Sequence, residues 1–174
     1  PSNEIRKHIF PDNLRKYAVV PWNKAYRLQF WLKHGFKFPE GISYEDTPLV
    51  HTVMGVSNYN IKLPNIIGYY YRQNRSDSTI GQSQNGDILM RLTALKIMLE
   101  YIKKYDKYLK ENEKLNIVYM KLGQELIYLF IMAKKNRETK KNIYEILCLL
   151  FSKKVQRATF KYGGLKSKAG ILGV

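Results

Sequence analysis

From Asp87 to Phe151 apolar residues recur at three- and four-residue steps, and a chain with that period must bury a stripe of each helix against another. Ile88, Leu92, Leu95, Leu99, Ile102 and Leu109 form a first stripe, with Lys96, Lys103, Lys104, Lys107 and Lys110 between them. Leu115, Val118, Leu122, Leu126 and Leu129 form a second, and Ile143, Ile146, Leu147, Leu150 and Phe151 a third. The spacing predicts a bundle of long amphipathic helices. The tail from Lys161 carries Gly163, Gly164, Gly170 and Gly173 and is expected to fray.

Before residue 86 the pattern differs. Residues 1–21 read as a loop ending in the extended run Val19-Val20-Pro21. Asn23 to His34 reads as a helix stopped by Gly35, followed by an extended Phe36-Lys37-Phe38 and a turn at Pro39 and Gly41. A second helix is expected from Glu45 or Asp46 to about Ser57, because an acidic residue followed by Thr47 and Pro48 marks a first turn. Residues 61–72 are rich in β-branched and aromatic types and read as a strand interrupted at Pro64, and Gln73 to Gly86 as a loop. The expected fold class is α/β: a mixed part over 1–85 followed by a basic helical region over 86–174.

The net charge of +16 is uneven, with 11 Lys and Arg against 6 Asp and Glu in residues 1–85, and 19 against 8 in residues 86–174. Such a field attracts polyanions without choosing among nucleic acid, anionic lipid and diphosphates. Cys148 is the single cysteine, so no intrachain disulfide is possible, and its apolar neighbours suggest a small buried hydrophobe. Uncharged apolar stretches such as 126–133 fall short of the roughly 20 residues that cross a bilayer. His8, His34 and His51 have no metal-ligand spacing, and neither a Gly-rich phosphate loop nor a CxxC pair is present. The chain starts at Pro1, which suggests a piece of a longer protein.

On residue type alone, Asp46 is most simply a helix N-cap, Trp22 and Tyr26 are core or interface aromatics, and Arg72 and Arg75 are solvated loop charges. The order of three segments adds a second reading. Pro21-Trp22-Asn23-Lys24-Ala25-Tyr26-Arg27 precedes Phe38-Pro39-Glu40-Gly41-Ile42-Ser43-Tyr44-Glu45-Asp46-Thr47-Pro48, and Gly68-Tyr69-Tyr70-Tyr71-Arg72-Gln73-Asn74-Arg75-Ser76-Asp77-Ser78 follows. Over residues 19–80 this succession resembles bacterial family 2 glycosyltransferases that build cell-surface polysaccharides.

The resemblance implies the C-terminal, acceptor-side part of a GT-A (Rossmann-like) domain and inverting transfer from a nucleotide-sugar donor to a hydroxyl of a glycan or lipid-linked acceptor. It makes Asp46 the general base, with Glu45 beside it, ionised by its place at a helix N-terminus. Trp22, Asn23 and Lys24 are implied on the acceptor, and Arg72, Arg75 and Ser78 on the donor diphosphate. The Ser76–Gly86 loop is the implied lid. The family's nucleotide-binding half, with its Asp-x-Asp motif for Mg or Mn, has no counterpart here, so the divalent ion's ligands are not in this chain and the chain alone is expected to be inactive. The implied setting is cytoplasmic, peripheral at the inner face of the cell membrane. The competing expectation is a non-enzymatic basic helical module that binds an anionic membrane or nucleic acid, the latter unsupported by any reader motif.

Overall fold

A computed structural model describes residues 6–9, 19–57, 59–62, 68–70, 72, 87–110, 113–134, 140–150 and 152–172. The described elements are β1 (Arg6–Ile9), α1 (Leu28–His34), α2 (Asp46–Val56), β2 (Tyr59–Lys62), α3 (Asp87–Lys104), α4 (Asp106–Leu109), α5 (Lys114–Lys134), α6 (Lys140–Leu150), α7 (Lys153–Tyr162) and α8 (Leu165–Leu172).

The expected α/β class is overturned. The described residues are mainly helical, and their one sheet is the antiparallel pair β1–β2, with Arg6 opposite Lys62 and Ile9 opposite Tyr59. No parallel sheet of a Rossmann-like unit is present among them. The physical reason is burial. A two-stranded pair encloses no core, whereas Thr47 to Val56 is nearly apolar all round and disappears from solvent as a helix, every residue of it buried. Of the run read as a strand over 61–72, the described residues Ile61 and Lys62 are strand, and Gly68, Tyr69, Tyr70 and Arg72 are exposed outside any strand.

Helix α5 is the axis of the molecule. Helices α2, α3, α6, α7 and α8 all pack on it, and α2 is held between α3 and α5. Its 21 residues are long and apolar enough to cross a bilayer, contrary to the count of uncharged stretches, but this is the composition of a core helix: Ile117, Val118, Met120, Leu122, Leu126 and Leu129 are buried. The core runs without a break from Phe36 and the α2 residues Leu49, Val50 and Val53 through α3 and α5 to Ile146 of α6 and Val155 of α7.

Two glycines set the interhelical distances. A Cβ on Gly55 of α2 would stand 2.7 Å from Val118 Cγ2, and one on Gly123 of α5 would stand 1.8 Å from the Thr159 hydroxyl oxygen. Backbone therefore meets side chain directly at the α2–α5 and α5–α7 crossings. Thr159 is buried in α7 and donates its hydroxyl to Val155 O at 2.8 Å, so it needs nothing from α5.

Aromatic rings tie α1 to the bundle. Phe36 lies 5.0 Å from Tyr105 between ring centres and 5.4 Å from Phe30, and His34 meets Tyr108 at 4.6 Å. Tyr101 donates its hydroxyl to Lys37 O at 2.9 Å. The segment after α1 is thus fixed to α3, and from it the chain enters α2.

Other expectations are corrected here. The tail is helical through α7 and α8, because Val155, Ala158 and Thr159 are buried against α5 and Ile171 packs on the core. Cys148 is exposed on α6, not buried. The first helix begins at Leu28 rather than Asn23, and residues 6–9 are strand rather than loop. The loop read over 73–86 lies outside the described residues.

Gly123→Ala is expected to destabilise the protein by about 1–3 kcal/mol through overpacking, despite alanine's better helix propensity. Adding Thr159→Ala should recover part of the loss, and chemical denaturation of both variants measures it.

Candidate functional site

The turn that precedes α1 is built locally. Lys24 N–H donates to Pro21 O at 3.2 Å, closing a turn with Trp22 and Asn23 at its tip. The Lys24 ammonium donates back to Val20 O and to Asn23 Oδ1, both at 2.7 Å. Trp22 is therefore pushed outward, 42% exposed, and its ring stacks on Tyr69 at 6.0 Å between centroids with 29° between planes. Tyr69 and Tyr70 are exposed beside it.

The entry to α2 is tight. Tyr44 has φ +64°, an uncommon conformation for a bulky residue. Thr47 N–H donates to Tyr44 O at 3.2 Å. Glu45 takes the N-cap position without a side-chain capping bond, and Asp46 is the first helical residue. Pro48 sits in the first turn, where a missing N–H costs no helix bond. Asp46 thus stands at the mouth of a helix whose remaining length is sealed in the core. The Thr47 hydroxyl donates to Asp46 Oδ1 at 3.4 Å.

The helix terminus, expected to favour the ionised form of Asp46, is not the main influence on it. Burial first, and the Glu45 charge second, raise its pKa, while hydrogen bonds from Thr47 pull it partly back. Desolvation acts on the whole group, whereas the dipole of one helix end is worth only a fraction of it.

Asp46 belongs to a cluster. Burial lowers the Lys24 pKa to about 8, with the Asp46 charge pulling it upward. Glu125 of α5 is raised by burial, lowered by Arg91 and Lys121, and raised again by Asp46. His51, one turn into α2, is wholly buried, and its pKa is lowered to about 3 by burial and by the charges of Lys121 and Lys24. Its Nε2 has no hydrogen-bond partner.

Beside this cluster a small cavity of about 10 Å³, room for about one water, is lined by Tyr44, Thr47, Arg91, Leu95, Glu125 and Tyr128 among others. The Arg91 guanidinium lies 4.0 Å from the Tyr44 ring centre and 5.6 Å from that of Tyr128. An open groove of about 870 Å³ adjoins the same turn, between Gly41, Ile42 and Ser43 on one side and Leu89, Met90 and Thr93 of α3 on the other. The two turns and the facing helices thus offer an exposed aromatic face at Trp22, a partly buried carboxylate at Asp46 with the Lys24 charge in range, and the Arg91 guanidinium against two phenol rings. That arrangement can take a proton from a bound hydroxyl and present an apolar face to a ring.

Of the residues singled out in the sequence, Trp22, Asn23, Lys24, Glu45 and Asp46 fall on the two adjoining turns, with Lys24 and Asp46 close enough to feel each other's charge. Arg72 is exposed, and Arg75 and Ser78 lie outside the described residues. Tyr44, Arg91, Glu125 and Tyr128 were not anticipated. The available signal was Arg91 next to Leu92, and Glu125 next to Leu126: charges at the edge of an apolar stripe. Among the described residues no group of three or more His, Cys, Asp or Glu could hold a metal ion.

Comparison with protein-family models, with curated proteins and with solved structures finds no match to this chain.

His51 stays neutral in the folded protein down to about pH 3, whereas an unfolded histidine takes its proton near 6.5. Stability that is complete above pH 6.5 is therefore lost as the pH falls from 6.5 toward 3. His51→Leu should flatten that loss, and melting temperatures across the range for both proteins measure it.

Proposed function

We propose that this chain supplies the acceptor side of a sugar transfer, with Asp46 as the base that activates the acceptor hydroxyl. The observation that carries the reading is that Lys24, in the turn with Trp22 at its tip, lies within range of the Asp46 charge in the first turn of α2. The turn carries an exposed aromatic face and the helix a half-buried carboxylate. The order of the three segments over residues 19–80, which resembles the family 2 glycosyltransferases, supports it independently of any sheet.

In this reading the acceptor ring lies on Trp22, since the apolar C–H face of a sugar packs on a flat indole. The acceptor O–H donates to an Asp46 carboxylate oxygen. As the acceptor's hydroxyl oxygen forms its bond to the anomeric carbon of the donor, its proton passes to Asp46 and the bond from that carbon to the diphosphate breaks, with inversion at the carbon. The raised pKa of Asp46 makes it a stronger base than a solvated aspartate and leaves its proton affinity nearer the working pH. The Thr47 hydrogen bonds limit that rise, and Lys24, whose charge Asp46 favours, is protonated below about pH 8. The nucleotide-sugar donor, its diphosphate contacts and the divalent ion belong to parts of the reaction that Arg72, Arg75 and Ser78 would border.

A transfer assay with a nucleotide-binding half supplied, fused or as a second chain, tests the proposal. Asp46→Asn is expected to lower kcat by about 10²- to 10⁴-fold while donor binding is kept. Undiminished turnover would refute the assignment. The acid limb of the rate profile should lie above the ordinary aspartate value of 3.8. Trp22→Ala should raise the acceptor KM by roughly two- to tenfold with kcat little changed, as loss of one ring-stacking contact requires.

A further inference from the structure

Helices α7 and α8 each turn one face inward and leave a different chemistry outside. In α7, Val155, Ala158, Thr159 and Tyr162 recur at steps of three and four on the inner side; the first three are buried and Tyr162 is half-buried. Its outer face carries Lys153, Lys154, Arg157, Phe160 and Lys161, all exposed. In α8, Ile171 packs on the core and Ser167 accepts a hydrogen bond from Gln124 Nε2 of α5 at 3.1 Å. At 100° per residue, the opposite side holds Leu165, Lys166, Ala169 and Leu172, with the half-buried Lys168 on the flank. Leu165 and Leu172 are 86% and 79% exposed, and Phe160 is 50% exposed.

The two outer faces are one surface. The Lys168 ammonium lies 5.4 Å from the centre of the Phe160 ring, which places the aromatic of α7 at the edge of the outward side of α8. The chain has no Asp or Glu after Glu145, so this surface contains six Lys and Arg within α7 and α8 and no carboxylate of its own. Lys161 reaches a carboxylate only on a neighbouring segment, at Glu113.

We propose that the joint face of α7 and α8 is a docking surface for an anionic lipid bilayer. Its cations would meet the head groups, and Phe160, Leu165 and Leu172 would enter the boundary with the acyl chains. Charge complementarity and side-chain type together select this occupant. A second copy of the chain would bring the same six cations against themselves, since a two-fold contact pairs a surface with itself. Nucleic acid would use the lysines, but exposed aliphatic side chains gain nothing by stacking on bases, and Phe160 is the one phenylalanine in the two helices. A basic helical face with protruding leucines fits the depth at which charge gives way to hydrocarbon. The surface is independent of the Asp46 cluster, so the failure of either proposal leaves the other standing.

Co-sedimentation of the full chain with phosphatidylcholine vesicles, with and without about one-third phosphatidylserine, tests it. At least about tenfold stronger partition to the serine-containing vesicles is expected, and about tenfold loss in the exposed triple variant Phe160→Ser, Leu165→Ser, Leu172→Ser. Hydrogen exchange on the unaltered chain gives a readout that needs no variant: vesicles should protect residues 153–172 above other exposed segments. Equal and negligible binding to both vesicles would overturn the proposal, as would triple-variant binding equal to that of the parent. So would displacement from vesicles by an oligonucleotide at lower concentration than by soluble phosphoserine, or a dimer in solution that the triple variant dissolves.

Discussion

The enclosure of α2 is the constraint on which the rest depends. A helix without a polar face cannot lie on a surface, so α3 and α5 must hold it between them, while Phe36 ties α1 to Tyr105 at the end of α3. The two ends of such a helix are the places where its backbone polar groups can meet solvent or side chains. At the entry, the turn at Tyr44 and the carboxylates of Glu45 and Asp46 perform that task. The position of Asp46 is therefore set by the core and not by a loop, which is the condition for a side chain to be held in a reproducible place.

The electrostatics around that end share one cause. Lys24 and His51 are pushed toward their neutral forms by burial, and so are Asp46 and Glu125, in the opposite direction on the pH scale. Pairwise charges then adjust each group: Lys121 and Arg91 draw Glu125 down, and Asp46 draws Lys24 up. Groups of both signs pressed toward neutrality beside a cavity are the setting in which protons change hands near neutral pH.

Much of this was legible from residue order, and the failures have identifiable causes. Gly35 was read as a helix stop and has φ +60° with its N–H bonded to Leu32 O. The span of α2 was read within a residue, since Pro48 and the acidic first turn are strong local signals. The three apolar stripes after residue 86 fall in α3 to α6. The Trp22–Lys24 turn was hidden because its backbone bond is reinforced by the lysine ammonium on Val20 O and Asn23 Oδ1, which no local propensity records. The aromatic run after β2 has high strand propensity, but such propensity measures partners, and the described part of it past Lys62 pairs with none. The glycine-rich tail folds because α5 offers it a buried face, a tertiary effect invisible to local composition. Arg91 and Glu125 were passed over since a charge beside an apolar stripe looks the same in a list whether it faces water or a neighbouring helix.

The glycines at positions 55 and 123 have a kinetic consequence. Where a bare Cα lies against a side chain, the two helices have a unique register: sliding by one residue would drive a Cβ into Val118 or Thr159. Helix α5 is thereby keyed to α2 on one side and to α7 on the other, and shear between these layers has no low-energy path. The segment between α1 and α2 has left-handed backbone at Gly35, Gly41 and Tyr44, and the Tyr101 and Tyr105 hydroxyls hold it through Lys37 O and Gly35 O. The molecule is a stiff frame to which the entry of α2 is pinned.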